Sequence, residues 1–161
     1  MKVKVISGGQ TGADLAGLWA AKLVGIPTGG FAPKNWLTTI GNFPSLGSKF
    51  GLVEHKESYR GRTISNLRSS DLTIVCSSKF EGGTRLTINQ CKKFDVPLEI
   101  VPFDPELLIV DREKVKLVAD ALRRKSLFKE EVILNVAGNS TRSSQRAFEF
   151  TFKFCCALFY E

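Results

Sequence analysis

Residues 7–14, Ser-Gly-Gly-Gln-Thr-Gly-Ala-Asp, constrain the fold most because they separate two different hydrophobic periods. Before them, Val3 and Val5 alternate with lysines, which predicts a half-exposed strand. After them, apolar residues recur at spacings of three and four residues, at Leu15, Leu18, Trp19 and Leu23. This spacing predicts a helix over residues 13–24. A strand joined to a helix by small residues is typical of a parallel α/β sheet.

The same arrangement of strand, small-residue turn and helix is predicted twice more, at residues 81–84 and 135–140. The start of a helix leaves backbone N–H groups without partners and carries partial positive charge, and glycine lets a bound group approach closely. The carboxyl ends of parallel strands meet at one edge of the sheet. We therefore expect the three loops to converge on one anionic ligand.

Periodicity along the rest of the chain predicts further strands and helices in alternation. Strands are expected at 27–31, 71–76, 97–103 and 132–136. Helices are expected at 59–68, 111–125 and 143–160, and between the turn at 82–84 and about residue 94. Neither period persists in residues 32–56, which predicts a long functional or mobile loop. The predicted fold class is a three-layer, Rossmann-like, doubly wound and mostly parallel α/β sheet, in a single nucleotide- or cofactor-binding domain over residues 1–161.

The spacing of apolar residues in the C-terminal segment, residues 143–160, fits both a strand and a helix. Its phenylalanines alternate as in a strand, at Phe148, Phe150, Phe152 and Phe154. At 100° per residue, however, its polar residues form one stripe of about 100°. A helix is therefore expected, and its wide apolar face implies a neighbouring helix or a second subunit. The predicted assembly is a homo-oligomer, a dimer or a tetramer.

Composition restricts the class of protein. A chain of 161 residues with 43% apolar content suits one domain with a sizeable core. No run approaches the ~18 apolar residues of a membrane span, and the first residues lack the apolar run of a signal peptide. We expect a cytoplasmic protein with no membrane partner. The four cysteines lack CxxC spacing and there is one histidine, which predicts reduced thiols and no metal site.

The net charge of +7 favours an anionic partner. Phosphorylated small molecules, nucleic acid and anionic membranes all qualify. The densest basic run, residues 123–125, ends a predicted helix, where cations complement the helix dipole. The chain lacks the interleaved aromatic and basic residues of a nucleic-acid platform. A phosphorylated small molecule is therefore the preferred partner, and nucleic acid is not favoured.

Each motif also has a simpler explanation. The first loop is neither G-x-G-x-x-G nor a P-loop, so it also suits a tight turn without a ligand. Asp14 is interpreted as favouring the start of its helix, with contact to a ligand hydroxyl or a metal as the alternative. Thr84 suits an N-cap and a ligand donor equally, and Thr87 adds a second hydroxyl. His55 has no Ser or Cys elbow, which disfavours a nucleophilic triad.

Several blocks together resemble the putative molybdenum carrier family over nearly the whole chain. They are residues 7–14 with Gly29-Gly30-Phe31-Ala32-Pro33-Lys34, Arg62-Thr63-Ile64-Ser65-Asn66, Ser70-Asp71, Gly82-Gly83-Thr84-Arg85-Leu86-Thr87 and Leu134-Asn135-Val136-Ala137-Gly138. That family is similar to the Rossmann-like SLOG superfamily, which includes lysine-decarboxylase-like phosphoribohydrolases. The resemblance implies a carrier or binding protein for a molybdopterin-type cofactor or a nucleotide.

The residues expected to bind the ligand combine the loops with two cations that the resemblance implies. They are Ser7, Gly8, Gly9, Gln10, Thr11, Asp14, Lys34, Arg62, Gly82, Gly83, Thr84, Thr87 and Gly138. Thr87 stands where the phosphoribohydrolases carry a catalytic Glu, and a hydroxyl cannot readily replace that carboxylate. Asn139-Ser140-Thr141-Arg142 replaces the family's Pro-Arg-Glu-Ser, and residues 35–39 replace a charged loop. The alternatives are a nucleotide-cleaving hydrolase with Asp14 or Asp71 as acid–base, and a nucleic-acid-binding module.

Overall fold

The computed structural model describes residues 1–161 and contains eight strands and six α-helices. In chain order they are β1 (Lys2–Ile6), α1 (Ala13–Leu23), β2 (Thr28–Ala32), β3 (Leu37–Thr38), β4 (Gly41–Asn42), α2 (Ser45–Phe50), β5 (Leu52–Glu54), α3 (Tyr59–Arg68), β6 (Leu72–Ser77), α4 (Gly82–Lys93), β7 (Leu98–Pro102), α5 (Arg112–Ser126), β8 (Glu131–Gly138) and α6 (Ala147–Phe159). Helix 59–68 was predicted with these same limits.

Six strands form one parallel sheet in the order β5-β2-β1-β8-β6-β7, and β3 and β4 form a separate antiparallel hairpin. Alternate residues of β8 face opposite layers. Val132, Leu134 and Val136 join the large core with α1, α5 and α6. Asn135 and Ala137 face the layer of α3 and α4. This arrangement confirms the predicted three-layer, Rossmann-like α/β fold.

The last helix is confirmed as a helix, but it begins at Ala147 rather than at residue 143. Residues 140–146 form hydrogen-bonded turns first, with Ser143 N–H and Ser144 N–H both donating to Ser140 O. Phe150 and Phe154 are buried in the large core, and the Phe150 ring stacks on Phe103 at 4.4 Å. No helix combines the length and apolar character needed to cross a membrane.

The prediction of a loop over residues 32–56 was wrong. This segment contains a short 3-10 turn at Lys34–Trp36, the β3–β4 hairpin, α2 and the edge strand β5, which pairs in parallel with β2. These elements are two to six residues long, too short to show a hydrophobic period. Their apolar side chains instead join a small second core, which consists of Leu18, Ala32, Leu46, Phe50 and Leu52.

Candidate ligand-binding site

A cavity of about 360 Å³ opens at the edge of the sheet where the strands end. Its floor is the face of β8 that carries Asn135 and Ala137, and its walls come from α3, the start of α4, and the loop after β1. Ligands in open α/β sheets bind outside the carboxyl ends of the strands. The cavity is therefore the candidate ligand-binding site.

One face of α3 forms a wall. Tyr59, Arg62, Thr63 and Asn66 line the cavity at helical spacings of three and four residues. Asn66 fixes the helix to β2, because its Nδ2 donates to Phe31 O at 3.0 Å and its Oδ1 accepts from Phe31 N at 2.8 Å. Of these four, sequence reasoning selected Arg62 alone. Helical spacing from Arg62 was the signal that would have identified the other three.

Arg62 and Asp14 form a buried ion pair in this wall. Arg62 Nη1 lies 3.1 Å from Asp14 Oδ2, and their side chains are 11% and 8% exposed. Burial raises the pKa of Asp14, while Arg62 and the backbone N–H groups of Gln10 and Gly8 lower it. The interpretation of Asp14 as a helix-start residue is therefore incomplete, because its main partner is a side chain of another helix.

These are the only charged residues among the 17 that line the cavity. The pair carries no net charge when both groups are ionised, so the chain's positive charge lies outside the cavity. The Nε atom of Arg62 is also buried without a hydrogen-bond acceptor. Buried donors of this kind normally have a partner, and this one belongs to a residue that lines the cavity.

The start of α4 presents free backbone donors. The N–H groups of Gly82, Gly83 and Thr84 have no acceptor in the chain, and the preceding Glu81 makes no side-chain cap. A Cβ atom added to Gly82 or Gly83 would meet nothing within 4 Å. Gly82 has a φ of +52°, which favours glycine. This helix start is open to an incoming group.

The two threonines of α4 bond within the protein. Thr84 is not the N-cap, and its Oγ1 accepts a hydrogen bond from Asn139 Nδ2 at 3.1 Å. Thr87 Oγ1 donates to Gly83 O at 3.0 Å. Both residues line the cavity, and no carboxylate stands at position 87.

The backbone N–H groups of the first loop, residues 7–14, donate to side chains of the same loop. Gly9 N–H donates to Ser7 Oγ, Gln10 N–H to Asp14 Oδ2, and Thr11 N–H to Gln10 Oε1. Gly8, Gln10 and Asp14 line the cavity, whereas Ser7, Gly9 and Thr11 lie behind it. The N–H groups that face an open cavity are therefore those of α4.

Gln10 and Thr11 hold the β3–β4 hairpin against this loop. Thr39 N–H donates to Gln10 Oε1 at 2.8 Å, and the hydroxyls of Thr11 and Thr39 are 2.5 Å apart. Thr141 Oγ1 donates to Thr11 Oγ1 at 2.8 Å. Three segments that are distant in sequence thus meet beside the cavity.

The third predicted loop is not a helix start. β8 continues to Gly138, and α6 begins at Ala147, so no helix N-terminus follows Asn139 directly. Glycine is required at 138 because a Cβ there would lie 1.9 Å from Cys76 O. Asn139 is 1% exposed and organises the loop before α4, since its Oδ1 accepts from Ser78 N at 2.8 Å and its Nδ2 donates to Lys79 O at 2.8 Å. Sequence reasoning missed this role because asparagine is common in turns.

Two charged candidate residues lie away from the cavity. Lys34 is exposed and does not line it. Asp71 precedes β6 at the opposite edge of the sheet, where it accepts a hydrogen bond from Ile133 N and pairs with Lys129. Asp71 cannot act in this cavity.

His55 contacts Ser65 without forming a nucleophilic pair. Its Nδ1 accepts a hydrogen bond from Glu57 N–H at 3.0 Å, so in the neutral ring the proton is on Nε2. Nε2 then donates to Ser65 Oγ at 2.9 Å. A nitrogen that donates to the serine cannot also remove its proton.

No group of three or more His, Cys, Asp or Glu residues is arranged to hold a metal ion. None of the four free cysteines lines the cavity. The cavity instead offers hydroxyl, amide and backbone N–H groups, which suit an oxyanion and neutral polar groups.

Comparisons with known proteins agree with this fold. The chain matches the circularly permutated YpsA SLOG family over residues 5–158. It is also similar to the crystal structure of a putative molybdenum carrier protein from Syntrophus aciditrophicus SB, with 29% sequence identity and a TM-score of 0.78. That match covers 96% of this chain and 93% of the other. No curated protein matches the chain.

Proposed function

The chain belongs to the circularly permutated YpsA SLOG family, and on this basis we propose that it is a binding or carrier protein for a small phosphorylated molecule. The bound molecule would occupy the cavity between the sheet and the layer of α3 and α4. Its phosphate would lie at the start of α4.

The observation that supports this proposal most directly is the set of free N–H groups on Gly82, Gly83 and Thr84. A helix N-terminus with free donors and open space is a ready anion site. Arg62 lines the same cavity and supplies its one positive charge. Because the lining has no other cation, the site suits a phosphate ester better than a polyphosphate.

A molybdopterin-type cofactor is the case that the similar carrier protein suggests, and a nucleotide is the other. The lining fits the organic part of either molecule. Tyr59 and Leu86 offer apolar surface to a planar ring, and the start of α4 offers donors to a phosphate. No thiolate in the lining would suit molybdenum itself, so the protein would hold the cofactor by its pterin and phosphate.

Mass spectrometry of the purified protein tests the proposal first, because a tightly bound ligand is expected to co-purify. Calorimetric titration with nucleoside monophosphates and with a phosphorylated pterin is the second test. Gly83→Asp places a carboxylate beside the free N–H groups and should abolish binding while leaving the protein folded. Absence of any bound molecule and of any binding at millimolar concentration would refute the proposal.

A nucleotide hydrolase is the second candidate, and Asp14 is the observation that favours it. Its carboxylate lines the cavity, and burial raises its pKa, which suits a general acid. Thr87, which lacks a carboxylate, argues against the phosphoribohydrolase chemistry. Incubation with nucleoside monophosphates decides, since only a hydrolase releases free base, ribose phosphate or inorganic phosphate.

We also propose that a second copy of the chain covers the outer face of α6. The rings of Phe148 and Phe152 lie 6.0 Å apart there and remain partly exposed, beside Trp19 and Leu23, which is 66% exposed. Light scattering of the wild type and of Phe152→Lys tests this, with a loss of mass expected for the variant.

The free cysteines support a reducing, cytoplasmic location.

A further inference from the structure

Asn135 is a buried polar residue on the floor of the cavity. Its side chain lines the cavity although the residue is 3% exposed. Its Nδ2 donates to Thr73 Oγ1 at 3.2 Å. Its Oδ1 accepts no hydrogen bond from the protein, and it is not among the fully enclosed atoms without a partner. That oxygen is therefore open to the cavity.

A chain of hydroxyl groups determines which way this amide points. Ser70 Oγ lies 2.7 Å from Leu67 O, so the single Ser70 hydroxyl proton is donated to that carbonyl. Ser70 Oγ is also 3.1 Å from Thr73 Oγ1, and this second hydrogen bond needs the Thr73 proton. Thr73 Oγ1 can then only accept from Asn135.

The amide nitrogen of Asn135 must therefore face Thr73. The opposite orientation would place Asn135 Oδ1 against Thr73 Oγ1, two oxygens with no proton between them. The floor of the cavity thus presents a carbonyl oxygen in a fixed position, and this acceptor needs a donor from the ligand.

Asn135 and the start of α4 lie at different depths of the cavity. Asn135 is three residues before Gly138, so it lies about 10 Å deeper along β8. Ala137 and Leu86 provide apolar surface in the lining. The free N–H groups of α4 lie at the outer end.

We infer that Asn135 selects the ligand by accepting a hydrogen bond from an amino group on a heterocycle whose phosphate lies at the start of α4. This inference rests on the proposed function and narrows it to amino-substituted heterocycles. The backbone N–H groups bind the phosphate, and Asn135 distinguishes one ring from another.

Two pairs of nucleotides that differ by a single amino group test this. GMP is compared with IMP, which lacks the 2-amino group, and AMP with purine riboside 5′-monophosphate, which lacks the 6-amino group. Titration calorimetry with the wild-type protein should show that GMP, AMP or both bind about tenfold or more tightly than the matching nucleotide without the amino group. Without that amino group, Asn135 Oδ1 has no hydrogen-bond donor.

Two variants separate a selecting role from a structural one. Thr73→Val removes the acceptor that orients the amide without changing any residue that lines the cavity, and it should bring the affinity ratio close to one. Asn135→Ala should do the same. Ser144→Ala, at a hydroxyl outside the lining, should leave the ratio unchanged. Thermal melts establish that each variant is folded.

The outcomes differ for the two levels of the proposal. Equal affinity within both wild-type pairs overturns the role of Asn135 while leaving the proposed function in place. If none of the four nucleotides binds at millimolar concentration, both the proposed binding of nucleotides and the role of Asn135 in selecting them are overturned. A ratio that persists in Thr73→Val overturns the hydroxyl chain as the cause of selectivity.

Discussion

The guanidinium of Arg62 lies directly against the backbone of Gly8, so that a Cβ atom on Gly8 would be 1.5 Å from Arg62 Nη1 and 2.8 Å from Asp14 Oδ2. The second residue of the first loop is therefore a glycine because a side chain from α3 occupies the space. This contact joins the first loop to the wall of the cavity and lets the ion pair form.

Gly8→Ala should displace Arg62 and separate it from Asp14. Both side chains are nearly buried, so the carboxylate would lose its cationic partner, and we expect a loss of about 1–3 kcal/mol in the free energy of unfolding. Urea denaturation measures this. An unchanged midpoint would show that Arg62 swings away and finds another arrangement at no cost.

Gly83→Ala should separate binding from stability. A Cβ at this position meets nothing within 4 Å and φ is not positive, so the variant should be as stable as the wild type or up to about 1 kcal/mol more stable. Ligand affinity should fall about tenfold or more, because the methyl group occupies the anion site.

Gly82→Ala is the matched comparison for that variant. The space at Gly82 is equally open, but its φ of +52° makes alanine strained, with a cost of about 1–2 kcal/mol. Thermal melts and titrations of the two variants together distinguish a backbone requirement from a ligand requirement. Unchanged affinity in a folded Gly83→Ala protein would place the phosphate elsewhere.

Asp14 should make stability depend on pH. Its pKa is raised in the folded protein, chiefly by burial, so the folded state binds the proton more tightly than the unfolded chain does. Its contribution to stability is then fully present below the unfolded pKa of about 3.9 and is lost as pH rises through the higher folded value. Asp14→Asn cannot ionise and keeps an acceptor for Arg62.

The stability advantage of the wild type over Asp14→Asn should accordingly shrink as pH rises above 4. Thermal melts of the two proteins at half-unit intervals between pH 4 and 8 measure the difference. A difference that grows with pH would show that Arg62 outweighs burial and lowers the Asp14 pKa.

The cysteines should resist thiol reagents in the folded protein. Burial raises the pKa of Cys76 to about 12, and burial also raises the pKa of Cys155 well above its ordinary value, so neither forms a thiolate at pH 8. Cys156 is half-buried and should be the first thiol modified, with all four reacting after denaturation. Rapid modification of Cys76 in native protein would contradict its burial.

Asn139→Ala should loosen the start of α4. Asn139 bonds to Ser78 N–H, Lys79 O and Thr84 Oγ1, and these groups would lose their partner. We expect a cost of about 2–3 kcal/mol and faster hydrogen exchange at residues 78–84. Ser140→Ala, at the next residue, is the control. Unchanged exchange in Asn139→Ala would mean that α4 holds this loop by itself.

The fold was largely predictable from the sequence because its main signals are local. The alternation of periods along the chain gave the strands and helices, and the glycine-rich junction before α4 was predicted, although the helix begins at Gly82 rather than after Thr84. β5 was missed because three residues carry no period and pair with β2 across an intervening segment. The last strand was predicted to end at Val136, with a turn over residues 135–140, whereas β8 continues to Gly138 and carries Asn135 on the face toward the cavity.

By itself, then, the sequence determined the alternation of strands and helices and the glycine-rich junction at the start of α4, since both depend on neighbouring residues. Three features were decided only by the tertiary structure. The N–H groups of the first loop bond within that loop, Gly8 leaves space for Arg62, and Asn135 presents its oxygen to the cavity. The physical reason is distance along the chain: Asp14 and Arg62 are 48 residues apart, and Thr73 and Asn135 are 62 apart. Such partners meet only when the sheet and its helices are assembled.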